Sequence, residues 1–152
     1  MSQAADQSRP RSRLRISRKL PLLAVTGGAV FWIASIATSL LPIAAEYRAA
    51  FSNWSMQTVW IFSLPMGILI GCCVGYFLLR FFDRIPTKSP ILKSVMLSAV
   101  ALIVAIILID MPMILHAHGA ALYYFLIGVV FNIIRFLLLG IAVGYLYQKL
   151  YG

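Results

Sequence analysis

Acidic residues are nearly missing from this chain: four Asp and Glu stand against 13 Lys and Arg in 152 residues. Charge of either sign is scarce, at 11% of residues, where soluble domains sit near one quarter. Cysteine is scarcer still. Cys72 and Cys73 are adjacent and form no CxxC motif, so no disulfide framework and no redox compartment can be read from them. They read as small packing residues inside an apolar stretch. The chain has no nucleophile beside a base, no phosphate loop, no HExxH, and no haem or iron–sulfur spacing. Nothing therefore argues for an enzyme, and no cofactor or metal is expected. His116-x-His118 has no cysteine or acid run beside it and reads as a loop pair rather than a metal site.

What the chain does have is apolar length. Hydrophobic residues make up 62% of it, and mean hydropathy is +0.93. Four apolar stretches cover about 20–44, 57–82, 90–115 and 121–148. Each holds about 25 residues, enough to cross a ~30 Å hydrocarbon core at ~1.5 Å per residue. The fold class is an all-α integral membrane protein of four transmembrane helices. A basic tail, 1–19, precedes a single membrane domain, 20–152.

The basic residues orient the spans. Six lie between Arg9 and Lys19, and Arg80, Arg84, Lys88 and Lys93 surround the second loop. Lys149 ends the fourth span, while Arg48 stands alone on the other side. The positive-inside rule then places both termini and the 83–89 loop in the cytoplasm, with the 45–56 and 116–120 loops outside. The tail reads as an orientation signal resting on anionic lipid, not as a nucleic-acid contact. Its Arg- and Ser-rich composition also suits a mitochondrial transit peptide, so a bacterial inner membrane is the first expected location and a mitochondrial inner membrane the second.

Prolines mark the boundaries. Pro21 and Pro90 sit near the starts of spans one and three, with Ser89 as N-cap. Pro42 and Pro112 sit near outer ends, and Pro65 is expected to kink span two. Tyr47, Phe51 and Trp54 at i, i+4, i+7 predict a short helix flat on the outer leaflet. Trp60, Tyr123 and Tyr124 would extend an outer aromatic belt, and Tyr145, Tyr147 and Tyr151 an inner one. Asn53-Trp54-Ser55 matches a glycosylation sequon and is read as chance.

A repeat runs through the chain. Gly71-x-x-Val74-Gly75-Tyr76-x-x-x-Arg80 recurs as Gly140-x-x-Val143-Gly144-Tyr145-x-x-x-Lys149, at an offset of 69 residues that also carries Lys19-x-Pro21 onto Lys88-x-Pro90. Two helical hairpins related by a pseudo-two-fold axis along the membrane normal would produce it, against the alternative of chance matches in low-complexity spans. Gly67, Gly71 and Gly75 line one face of span two, and Gly140 and Gly144 one face of span four. In lipid such lines let helices approach closely, within one chain or between copies.

Polar residues within spans carry the remaining information. Arg135 lies mid-span with Asn132 one turn before it, and Asp110 lies one turn below the end of span three. Asn132, Arg135 and Asp110 form the candidate intramembrane site. Arg135 can hold an anion, a lipid head group or a partner subunit, or be a structural arginine on carbonyls freed by Pro65. Asp110 has Arg135, Arg48, His116 and His118 as candidate partners, although counting residues leaves it ~10 Å or more in depth from Arg135. Ser35, Thr38, Ser39, Thr58 and Ser63 read as packing hydroxyls.

Two functions follow as expectations. The first is an accessory or assembly subunit that packs through its glycine faces as a homo-oligomer or in a larger membrane complex. The second is a small oligomeric transporter or channel for an anionic or lipid-like solute, using Asn132 and Arg135.

Overall fold

The computed structural model describes residues 9–51, 55–116 and 120–151, without the side chains of 9–18, 51, 113, 116 and 121. Among the described residues every element is helical. In chain order they are α1 (Arg9–Ser39), α2 (Pro42–Phe51), α3 (Met56–Phe81), a 3-10 turn (Phe82–Arg84), α4 (Pro90–Ala105), a π turn (Ile106–Asp110), α5 (Met111–His116) and α6 (Ala121–Tyr151). Four segments among the described residues are long and apolar enough to cross a membrane: Lys19–Ser39, Met56–Arg84, Pro90–Asp110 and Leu122–Tyr151. The chain fits a small multi-pass membrane protein.

The spans differ from the sequence boundaries where proline acts. The first ends at Ser39 instead of 44, because the helix breaks at Leu40–Leu41 and Pro42 opens α2. A proline lacks the N–H that a first-turn residue would leave unpaired, so it starts a helix at little cost. Pro21 lies near the start of the first span, Lys19–Ser39, as expected, although the helix that carries it begins earlier, at Arg9. Pro65 lies within an unbroken α3. Ser89 takes the N-cap position before Pro90, but its hydroxyl makes no capping bond. Its carbonyl accepts from the Lys93 N–H at 3.1 Å.

The glycines set which helices touch. A Cβ on Gly71 would lie 2.8 Å from the Ala24 carbonyl oxygen, and one on Gly67 would lie 3.0 Å from that of Gly28. One on Gly144 would lie 2.6 Å from the Ile91 Cα. Gly140 sits against Val95 and Ser98 in the same way. Thus α3 rides closely on α1, and α6 on α4. In addition α1 packs on α6, whereas α3 and α4 touch little despite the short loop between them. The helices form an arc in the order α3, α1, α6, α4. Its core is a cluster of Leu23, Phe31, Val74, Leu78, Phe136, Leu139, Val143 and Tyr147.

The two ends of the arc are built differently. At the end carrying the termini, Lys93 donates to the Phe82 carbonyl and lies 3.7 Å over the Phe82 ring. Phe82 stacks on Tyr147 at 4.8 Å, and Tyr147 on Tyr151 at 4.5 Å. Lys19 closes the stack, 3.7 Å over the Tyr151 ring and 3.1 Å from the Leu150 carbonyl. Both ammoniums therefore meet carbonyls at helix C-terminal ends, where the dipole is negative. Tyr147 is 8% exposed and belongs to this stack, not to a lipid-facing belt. At the opposite end Trp32 donates to the Trp60 carbonyl at 3.0 Å, and Trp60 to the Ser39 hydroxyl at 2.8 Å. Cys73 is exposed and Cys72 half-buried, because neighbours on a helix point about 100° apart.

Candidate functional site

Between α3 and α4, toward the end away from the termini, the arc opens into a groove of about 600 Å³. Its floor comes from α1 and α6, through Phe31, Asn132, Arg135 and Phe136. One wall is the 59–70 face of α3; Ala105, Ile109 and Asp110 form the other, and Tyr47 of α2 closes one end. The sequence-derived trio Asp110, Asn132 and Arg135 thus lines one groove. Phe62 and Leu69 on the wall are 58% and 60% exposed, so the groove opens sideways, along the face a span presents to its surroundings.

Asp110 reaches the groove through the π turn. The inward face of α4 runs through Ser94, Ser98, Ala101 and Ala105. In an unbroken α-helix the next residue on that face would be Ile109. Pro112 cannot donate to the Leu108 carbonyl, and its ring presses on that carbonyl. The chain widens instead, with the Met111 N–H bonding Ile106 five residues back. The extra residue in the turn passes the inward position to Asp110, which is 9% exposed.

The two charges are held by neutral partners. Asn132 Nδ2 donates to Asp110 Oδ2 at 3.1 Å. Arg135 donates to Thr38 Oγ1 through Nε at 3.3 Å and Nη2 at 2.9 Å. Thr38 can accept both because its own proton goes to the Ala34 carbonyl at 2.9 Å. A hydroxyl has one donor and two acceptor sites, and this arrangement fills all three. Arg135 therefore rests on a hydroxyl of α1 rather than on a carbonyl freed by Pro65.

Tyr47 escaped the sequence reading. Its ring turns onto α6, edge-on to Phe131 at 6.2 Å, where a Cβ on Gly128 would lie 2.8 Å from the phenol oxygen. Burial pushes the Tyr47 phenol above its ordinary pKa, and the Asp110 carboxylate adds to this while Arg135 opposes it. The phenol thus stays protonated at neutral pH and keeps its donor. The i, i+4, i+7 spacing marks Tyr47 only as part of an apolar pattern whose Trp54 lies outside the described residues, and nothing in the sequence says that Tyr47 meets Gly128.

The other candidates disperse. Arg48 approaches the Ser39 carbonyl at 3.5 Å, at the end of α1. Ser35, Thr38 and Ser39 are buried and bond back to carbonyls of their own helix, which is the packing role expected of them. Ser63 lines the groove and donates to the Trp60 carbonyl at 3.0 Å. Thr58 instead bonds the N-cap hydroxyl of Ser55, through its backbone N–H at 3.2 Å. The Asn53–Trp54 part of the sequon, His118 and the side chains of His116 and Phe51 lie outside the described residues. Among the described residues no cluster of three His, Cys, Asp or Glu could hold a metal. No protein-family model matches this chain, and no curated protein or solved structure matches it.

Proposed function

We propose that this chain is a small polytopic membrane protein whose groove takes a lipid-like solute from the bilayer, polar head inward. Both termini and the 83–89 loop lie in the cytoplasm in this reading, so the groove faces the outer half of the membrane. The observation that carries it is the joint position of Asp110, Asn132 and Arg135 in one laterally open groove with apolar walls. A buried charge in a span is costly, about 2.5–3.5 kcal/mol for a central Arg, and such residues face cavities and solute paths. A volume of about 600 Å³ falls within the usual range for small-molecule sites.

An assembly subunit docking through its glycine faces has less support. Gly67 and Gly71 lie against α1 and Gly140 and Gly144 against α4, so those faces are occupied within the chain. The same contacts favour two repeated hairpins, α1 with α3 and α4 with α6. Phe82 and Tyr151, at the repeat offset of 69, each carry a lysine over the ring.

Photo-crosslinking tests the reading. Purified protein in vesicles is labelled with a phospholipid bearing a diazirine in its acyl chain, and the labelled peptides are mapped. Adducts should concentrate on 59–70 and 105–110 and fall severalfold in Arg135→Leu, whose oligomeric state should stay that of the wild type. Adducts spread evenly over the exposed faces of all four spans would reject the groove as a site.

A further inference from the structure

The groove has an uncommon charge pattern for a lipid site, with one cation on its floor and one carboxylate on a wall, each oriented by a neutral side chain. From this we infer that the head group it takes is an amino-phosphate, with Arg135 holding the phosphate and Asp110 the primary ammonium. The inference rests on the lipid-like solute proposed above and narrows its chemistry.

Three observations lead there. First, neither charge is used up by its partner. A guanidinium has five N–H donors in a planar fork. Nε and Nη2 of Arg135 bond Thr38, which leaves the Nη1 edge for an oxyanion. Asn132 bonds only Oδ2 of Asp110, so Oδ1 is open to a second donor. Second, the site penalises a ligand of one sign. A purely anionic head would satisfy Arg135 and sit beside a carboxylate that is 9% exposed. A purely cationic head would satisfy Asp110 and leave the guanidinium. Arg135 and Asp110 already attract each other, so a ligand of one sign would be drawn to one of them and repelled by the other. A head group with both signs meets both demands. Third, the two charges come from different elements. Arg135 and Asn132 belong to one helix and Asp110 to another, so a ligand bridging them spans α6 and the π turn. Tyr47 lines the end of the groove.

A primary ammonium is favoured over a quaternary one because Oδ1 accepts hydrogen bonds and a trimethylated nitrogen has none to give. The apolar wall of Phe62, Met66 and Leu69 then takes the start of an acyl chain, and the remainder lies in the bilayer. The same head chemistry occurs in a diacyl lipid and in a water-soluble phospho-amine.

Native mass spectrometry distinguishes the possibilities. The full chain is reconstituted in an equimolar mixture of phosphatidylethanolamine, phosphatidylglycerol and phosphatidylcholine, released, and its retained lipids are counted. The wild type should retain phosphatidylethanolamine over each of the others by about tenfold, the scale of one charge-assisted hydrogen bond. Asp110→Asn should lose that preference and shift toward phosphatidylglycerol. Arg135→Gln should retain neither. Displacement of retained lipid by soluble phosphoethanolamine, and not by glycerol phosphate, would confirm the head chemistry and show that the chain is dispensable. Resistance to both, with selectivity intact, would assign the lipid itself. Wild type that prefers phosphatidylglycerol overturns the amino-phosphate inference and leaves the groove standing, a result that needs no variant to fold. Wild type that retains no lipid above a detergent control overturns the groove reading as well.

Discussion

The two ends of the α3–α4 pair solve opposite problems with similar residues. At the end with the termini, charge and aromatic rings are used up on one another. Lys93 is 6% exposed, bonded to the Phe82 carbonyl and seated over its ring, and three stacked rings lead from there to Lys19. At the other end Phe62 and Leu69 turn outward, and Arg135 and Asp110 meet neutral side chains. A closed end fixes the angle between α3 and α4, and an open end needs that angle fixed. Charge in this molecule closes the bundle where it meets carbonyls and rings, and leaves a site where it meets hydroxyl and amide.

Three substitutions test the contrast. The largest effect belongs to Gly144→Leu. A Cβ there would lie 2.6 Å from the Ile91 Cα and 3.2 Å from the Pro90 carbonyl, and backbone cannot step aside as a side chain can. We expect a loss of about 3 kcal/mol, read as a lowered unfolding midpoint in detergent. An unchanged midpoint would mean that α4 and α6 do not pack as closely as described. Lys93→Ala comes second. It removes a bond to a carbonyl and a ring contact, together worth about 1–2 kcal/mol. Distances between spin labels on α3 and α4 should broaden at the Phe82 end. If they broaden only at the groove, the closed end is not the pivot.

Pro112→Ala should be the gentlest on stability, under about 1 kcal/mol in either direction. It restores an N–H to the Leu108 carbonyl and lets the π turn tighten to an α turn, which turns residue 110 away from α6. The check is a crosslink. With Cys72 and Cys73 replaced by Ser, Asp110→Cys and Asn132→Cys should form a disulfide in the presence of Pro112 and lose it in Pro112→Ala. Equal crosslinking in both backgrounds would separate the proline from the position of Asp110.

That proline also marks where the sequence ceased to be legible. The four spans could be read because apolar length is a bulk property, and a misplaced boundary such as Ser39 for 44 leaves the count unchanged. The glycine faces were visible as spacing, although spacing cannot say which helix fills them. Asp110 was harder. Residue counting assumes a regular helix with Pro112 as an end marker, which makes Arg48 and the histidines partners as plausible as Arg135 and leaves Asn132 beside Arg135 alone. One extra residue in one turn altered the face that Asp110 presents and gave it Asn132 as a partner. Tyr47 illustrates a second limit. An apolar stripe on a short helix suits a leaflet and a neighbouring helix equally, and only the tertiary arrangement decides between them.

The indole pair at the far end of α1 and α3 has a practical consequence. The chain has three tryptophans, at positions 32, 54 and 60, and none beyond α3. Trp32 and Trp60 are joined to each other and to Ser39 by hydrogen bonds that cross from α1 to α3. Their emission wavelength depends on that crossing, because an indole N–H released from its acceptor meets a different polarity. The α1–α3 hairpin thus has a built-in fluorescent gauge, and the α4–α6 hairpin is optically silent at tryptophan wavelengths. Unfolding followed by emission alone would report the first hairpin, and the second would need a tryptophan of its own.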